Sequence, residues 1–138
     1  MNLKIKLITV ALILNFICSI LMAIININLG LIVMIIGMIV VPLLINTFSF
    51  IVGQGNRSIL NVFIMSIFNL IYYIITSNSV MHNTKFKEVL AKYSYEKGDF
   101  FIHMNANLTA LSQLIFIFLF YFVISFLVMK LFRKSVHA

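Results

Sequence analysis

Four stretches of this chain carry no aspartate, glutamate, lysine or arginine, and each is long enough to cross a lipid bilayer as a helix: residues 7–25, 29–52, 59–75 and 108–129. A hydrocarbon core of about 30 Å needs about 20 apolar residues at about 1.5 Å of rise each, and inside it only structures that pair every backbone group internally survive. That requirement selects helices here. Of the 138 residues 63% are hydrophobic and 9% charged, far too few charges to clothe a water-soluble surface. The expected fold is therefore an all-α integral membrane protein, one domain over 1–138, with four transmembrane helices in an antiparallel bundle.

The connections sharpen this. Asn26, Ile27 and Asn28 separate the first two runs by so little chain that the helices must be adjacent and antiparallel. Asn15, Ser19 and Ala23 recur every fourth residue and form a face suited to close helix packing. Pro42 interrupts the second run; it removes a backbone donor and predicts a bend whose freed carbonyl a neighbour must satisfy. Gly53 to Arg57 reads as a turn and Ser58 as the N-cap of the third helix. In that third run Ser66, Asn69 and Tyr73 share the most polar face of any span, while Tyr72 and Tyr73 suit the lipid–water interface.

Between the third and fourth runs lies the one long polar excursion, residues 76–107. Within it Thr84 to Lys97 has a helical pattern: Phe86, Val89, Leu90 and Tyr93 form one apolar stripe, and Gly98 is placed to end the helix. A helix this short needs a surface beneath it, so an amphipathic interfacial helix is expected, its lysines directed at anionic headgroups. A further turn through Phe100 to Ile102, capped by Asp99, is expected after it.

The net charge of +7 follows the span ends and reads as an orientation signal, with no nucleic acid as partner. Lys4, Lys6, Arg57, Lys130, Arg133 and Lys134 fall on one side. Lys85, Lys87, Lys92 and Lys97 fall on the other with Glu88, Glu96 and Asp99, which leaves +6 against +1. Lys and Arg near span ends favour the cytoplasm. The expected topology is a multi-pass bacterial plasma-membrane protein with both termini and the basic tail 130–138 cytoplasmic and residues 76–107 outside.

Function classes are mostly excluded by what is missing. The sequence holds no phosphate-binding glycine loop, no HExxH, no nucleophile with a nearby base and no paired carboxylates, so no enzyme, catalytic residue or cofactor is expected. His82, His103 and His137 are scattered and Cys18 is alone, so no metal site is expected. No Asp, Glu, Lys or Arg lies inside any of the four runs, where coupled pumps keep an ionisable group. The surfaces singled out for contact with an unidentified membrane protein or a second copy of the chain are Asn69 and Tyr73 in the third span and Phe86, Leu90, Tyr93 and Lys97 in the polar segment.

Several residues carry a resemblance: Asn26-Ile27-Asn28, Val41-Pro42, Asn69 with Tyr72-Tyr73, Met81, Lys85-Phe86 and the basic tail Lys130 to His137. In these the chain resembles the Msa family of small staphylococcal-type membrane proteins, modulators of the virulence regulator SarA. It departs from that family at Asn69, where the family has an acidic residue, and in a less acidic soluble segment. The resemblance implies a regulatory or accessory protein acting on virulence gene expression through protein contacts, without catalytic residues. Two other readings stand beside it: an immunity protein against a membrane-active bacteriocin, and a small self-associating channel or transporter with Asn15, Asn46, Asn61, Asn69 and Gln113 along its path.

Overall fold

The computed structural model describes residues 3–52, 58–97, 100–102 and 106–135. The Gly53 to Arg57 turn, Gly98, Asp99, His103 and His137 lie outside the described residues. The chain forms α1 (Leu3–Ile25), a 3-10 turn (Asn26–Leu29), α2 (Leu31–Val52), α3 (Ile59–Met81), α4 (Thr84–Tyr93), strands β1 (Tyr95–Lys97) and β2 (Phe100–Ile102), and α5 (Leu111–Ser135). Apart from the small antiparallel β1–β2 hairpin, in which Glu96 pairs with Phe101, this is an all-α membrane bundle. Helices α1, α2, α3 and α5 are long and apolar enough to cross a membrane.

The four long helices run alternately up and down. At one end Leu7, Phe50, Val62 and Met129 share a cluster, and at the other Ile27, Met34, Val80 and Ile117 do. The first set comes from the start of α1 and α3 and the end of α2 and α5, which fixes the directions. Helix α3 is the centre, the most deeply buried of the four long helices. Its inward residues, Asn61, Val62, Met65, Ser66, Asn69, Tyr72, Tyr73, Thr76, Ser77 and Val80, follow the helical period and cover about half its circumference.

The reversal between α1 and α2 is local chemistry. Asn26 adopts φ +49°, a left-handed conformation that asparagine tolerates better than most residues, and Gly30 adopts φ +102°, open to glycine. Asn26 then reaches across to α3, its Nδ2 donating to the Ser79 carbonyl at 3.0 Å and to Ser79 Oγ at 2.8 Å. Ser58 caps α3, accepting from Leu60 N, and Asn83 caps α4, accepting from Lys85 N.

Three boundaries differ from the sequence reading. Helix α3 continues to Met81 instead of stopping at 75, because Thr76, Ser77 and Ser79 turn towards the other helices: the Thr76 hydroxyl donates to its own backbone at Tyr72 O and Ser79 Oγ donates to Ala23 O. Helix α4 ends at Tyr93, and Lys97 lies in β1 instead of a helix, while Phe100 to Ile102 forms β2. Helix α5 begins at Leu111 and carries Lys130 onward as helix to Ser135. On the lipid-facing seam of α3 and α5, Phe63 meets Phe118 edge to face at 5.5 Å and Phe118 stacks on Phe122 at 6.4 Å.

Candidate functional site

Chemistry in a bundle of this composition can reside only in its sparse polar groups, and these have a layered order. Call the cap end the one nearest α4. The cap-end cluster includes Met34, Met38, Tyr73, Val80 and Tyr121, and the far-end cluster includes Leu7, Ala11, Phe50, Val62, Met65 and Met129. Between the two along the helices come Asn15 and Ser19 of α1, Asn46 and Ser49 of α2, Ser66 and Asn69 of α3, and Ser125 of α5, each at most 3% exposed. Each long helix thus contributes to a polar belt at mid-depth.

The serines satisfy themselves by donating to carbonyls one turn back: Ser19 to Phe16, Ser49 to Ile45, Ser66 to Val62. The amides do not. Asn46 Nδ2 donates to Ser125 Oγ at 2.7 Å and Asn15 Nδ2 to Ala11 O at 3.0 Å, but Asn15 Oδ1, Asn46 Oδ1 and both amide atoms of Asn69 have no protein partner among the described residues. An unpaired buried amide is costly, so these positions are where the interior is least settled.

Just above the belt, two tyrosines clasp α2. Pro42, fully buried, has no N–H for the Met38 carbonyl four residues earlier. The Tyr121 hydroxyl of α5 donates to that carbonyl at 2.5 Å, and the Tyr72 hydroxyl of α3 donates to the neighbouring Gly37 carbonyl at 3.2 Å. Tyr121 is thus the partner that the freed carbonyl needs. Tyr121 was legible in principle: a lone tyrosine in a phenylalanine-rich span needs a hydrogen-bond partner, and a proline in another span leaves one.

At the cap end, Tyr73 donates to the Leu108 carbonyl at 3.1 Å and accepts from Gln113 Nε2 at 2.8 Å, tying α3 to the start of α5. Tyr72 and Tyr73 are 1% and 4% exposed, so they are core residues and not interface anchors. Asn69 is likewise fully buried. The shared face of Asn69 and Tyr73 is therefore directed at this chain's own helices, and an outside molecule does not reach it. Phe86 is buried in the cap-end cluster with Leu90 packed against it, which is how α4 is held down; Lys85 Nζ adds a bond to Asn28 Oδ1 at 3.1 Å. Tyr93, also singled out for contact, is open, 58% exposed, beside the exposed Lys87, Glu88 and Lys92. Lys97 is placed by its backbone in β1.

Among the described residues no group of three or more His, Cys, Asp or Glu comes together to hold a metal. His82 lies on the surface with Nδ1 2.8 Å from Asn78 O. The class that fold and site define is a small four-helix membrane bundle with a polar cap. The chain matches no protein-family model, no curated protein and no solved structure.

Proposed function

We propose that this chain is a regulatory or accessory protein of the bacterial plasma membrane that works by contacting another membrane protein through its cap. The observation that carries the reading is the distribution of polar groups: inside the spans they are turned inward, while α4 presents Lys87, Glu88, Lys92 and Tyr93 outward from a helix anchored by Phe86. A charged surface on a fixed base suits recognition. The resemblance to the Msa family supports a role in modulating virulence gene expression, and the charge asymmetry of +6 against +1 supports a cap outside the cell with both termini in the cytoplasm. The cap lysines then lie within reach of anionic headgroups.

The test uses a photo-crosslinking residue at Tyr93 in living cells, with the same residue at buried Tyr73 as control. A discrete adduct from position 93 alone is expected, together with altered regulator transcripts when the gene is deleted. Unchanged transcripts across growth phases with no adduct at position 93 would remove the proposal.

A further inference from the structure

The turn between α1 and α2 meets the start of α4 through one contact: Lys85 Nζ donates to Asn28 Oδ1 at 3.1 Å, and both residues are exposed. An ammonium can only donate, so the amide oxygen of Asn28 is the atom that faces it and Nδ2 is turned away. Lys85 keeps two further N–H donors and Asn28 Nδ2 has two. Among the described residues neither side chain forms an ion pair or a second hydrogen bond. Asn28 belongs to the 3-10 turn joining two helices long enough to span a membrane, so it sits where acyl chains give way to headgroups. Ile24, Leu29 and Ile32, each within about one helical turn of it along the chain, are 71%, 64% and 74% exposed. In a spanning bundle these apolar side chains meet lipid.

We propose that this point binds one anionic phospholipid, its phosphate accepting from Lys85 Nζ and Asn28 Nδ2 and an acyl chain lying along Leu29 and Ile32. Charge decides the headgroup. Helix α4 carries Lys85, Lys87 and Lys92 against Glu88 alone, so a choline would set a further cation among lysines, whereas a glycerol headgroup leaves the phosphate's charge uncompensated. Glu88, three residues beyond Lys85, is the carboxylate that opposes an anion here, and Lys92 stands four residues beyond it on the same face. Because Lys85 and Asn28 are 57 residues apart and on different elements, a phosphate held by both clips the start of α4 to the α1–α2 turn. The site deepens one part of the proposed function, the contact of cap lysines with anionic headgroups. It does not depend on the protein partner, so its failure leaves the crosslink at position 93 as a separate test.

The test is photolabelling of the full chain in nanodiscs with phosphatidylglycerol that carries a diazirine near its ester group, mapped by mass spectrometry. Label is expected to concentrate on residues 24–32 and to be displaced by unlabelled phosphatidylglycerol, but not by phosphatidylcholine or inorganic phosphate. Lys85→Gln is expected to lower that label about fivefold, the effect of one lysine at a lipid surface, and Lys85→Arg to restore it. Asn28→Leu keeps the charge and is expected to cost about two- to threefold. Lys87→Gln removes the same charge from another side of α4 and is expected to leave the label nearly unchanged. Equal displacement by phosphatidylcholine in the wild-type protein would overturn the proposal whether or not any variant folds. So would displacement by inorganic phosphate, which would mean a soluble-anion site, or equal losses from Lys85→Gln and Lys87→Gln, which would mean a diffuse surface potential. Unchanged label in a helical Lys85→Gln or Asn28→Leu protein, or label no denser at 24–32 than along the other lipid-facing helices, would overturn it too.

Discussion

The two ends of the bundle are held by different physics. At the cap end, helices are tied by named side-chain bonds: Asn26 to Ser79, Ser79 to Ala23, Gln113 to Tyr73 and Tyr73 to Leu108, with the Tyr72 and Tyr121 clasp on α2 just below. The far end is a cluster of Leu7, Ala11, Phe50, Val62, Met65 and Met129, backed by phenylalanines of α3 and α5. In lipid, apolar side chains gain nothing from leaving water, so that apolar cluster depends on close van der Waals fit, whereas the cap-end bonds also fix direction and register. The difference teaches that α4 sits on the more precisely determined end, which the proposed role in recognition would use.

Substitutions can break or sharpen this contrast. The largest effect is expected from Met65→Ala at the far end, where a fully buried side chain is truncated and the cavity costs about 2–4 kcal/mol; unfolding in mixed micelles measures it, and a loss below about 1 kcal/mol would mean that the far end is loosely packed. Next comes Tyr121→Phe, which leaves the Met38 carbonyl unpaired at a cost of about 1–3 kcal/mol. Pro42→Ala restores the backbone donor, so in that background Tyr121→Phe should cost well under 1 kcal/mol, and a double-mutant cycle showing simple additivity would dismiss the clasp. Third, Asn69→Leu removes a fully buried amide with no protein partner among the described residues and is expected to raise stability by about 1 kcal/mol; destabilisation would show that the amide has a role in the folded state. The smallest effect is expected from Ser79→Ala, about 0.6 kcal/mol by the average for such bonds in membranes, read as faster hydrogen exchange at the 3-10 turn.

Much of this architecture was legible in the sequence because spanning a bilayer imposes length and apolarity on each helix separately, and those are local properties. What was not legible depended on which way a residue turns. Thr76, Ser77 and Ser79 looked water-facing by type, yet they are the last turns of α3 pointing inward, so the polar excursion begins later than composition indicates. The spacing of Ser66, Asn69 and Tyr73 revealed a common face without revealing that it is buried against this chain's own helices. Lys97 continued a helical pattern whose end at Tyr93 is set by the pairing of β1 with β2, a contact that no stripe encodes. Pro42 announced a vacant carbonyl, but only the assembled bundle supplies Tyr121.

The central claim is that four crossings leave the start of α1 and the end of α5 on one side and α4 on the other. In a Cys18→Ser background, single cysteines at the exposed positions Lys6, Lys87 and Lys130 can be labelled in sealed vesicles of known orientation with a membrane-impermeant thiol reagent. Positions 6 and 130 should label together from one face and position 87 only from the opposite face; labelling of 87 from the same face as 6, or of 6 and 130 from different faces, would contradict it.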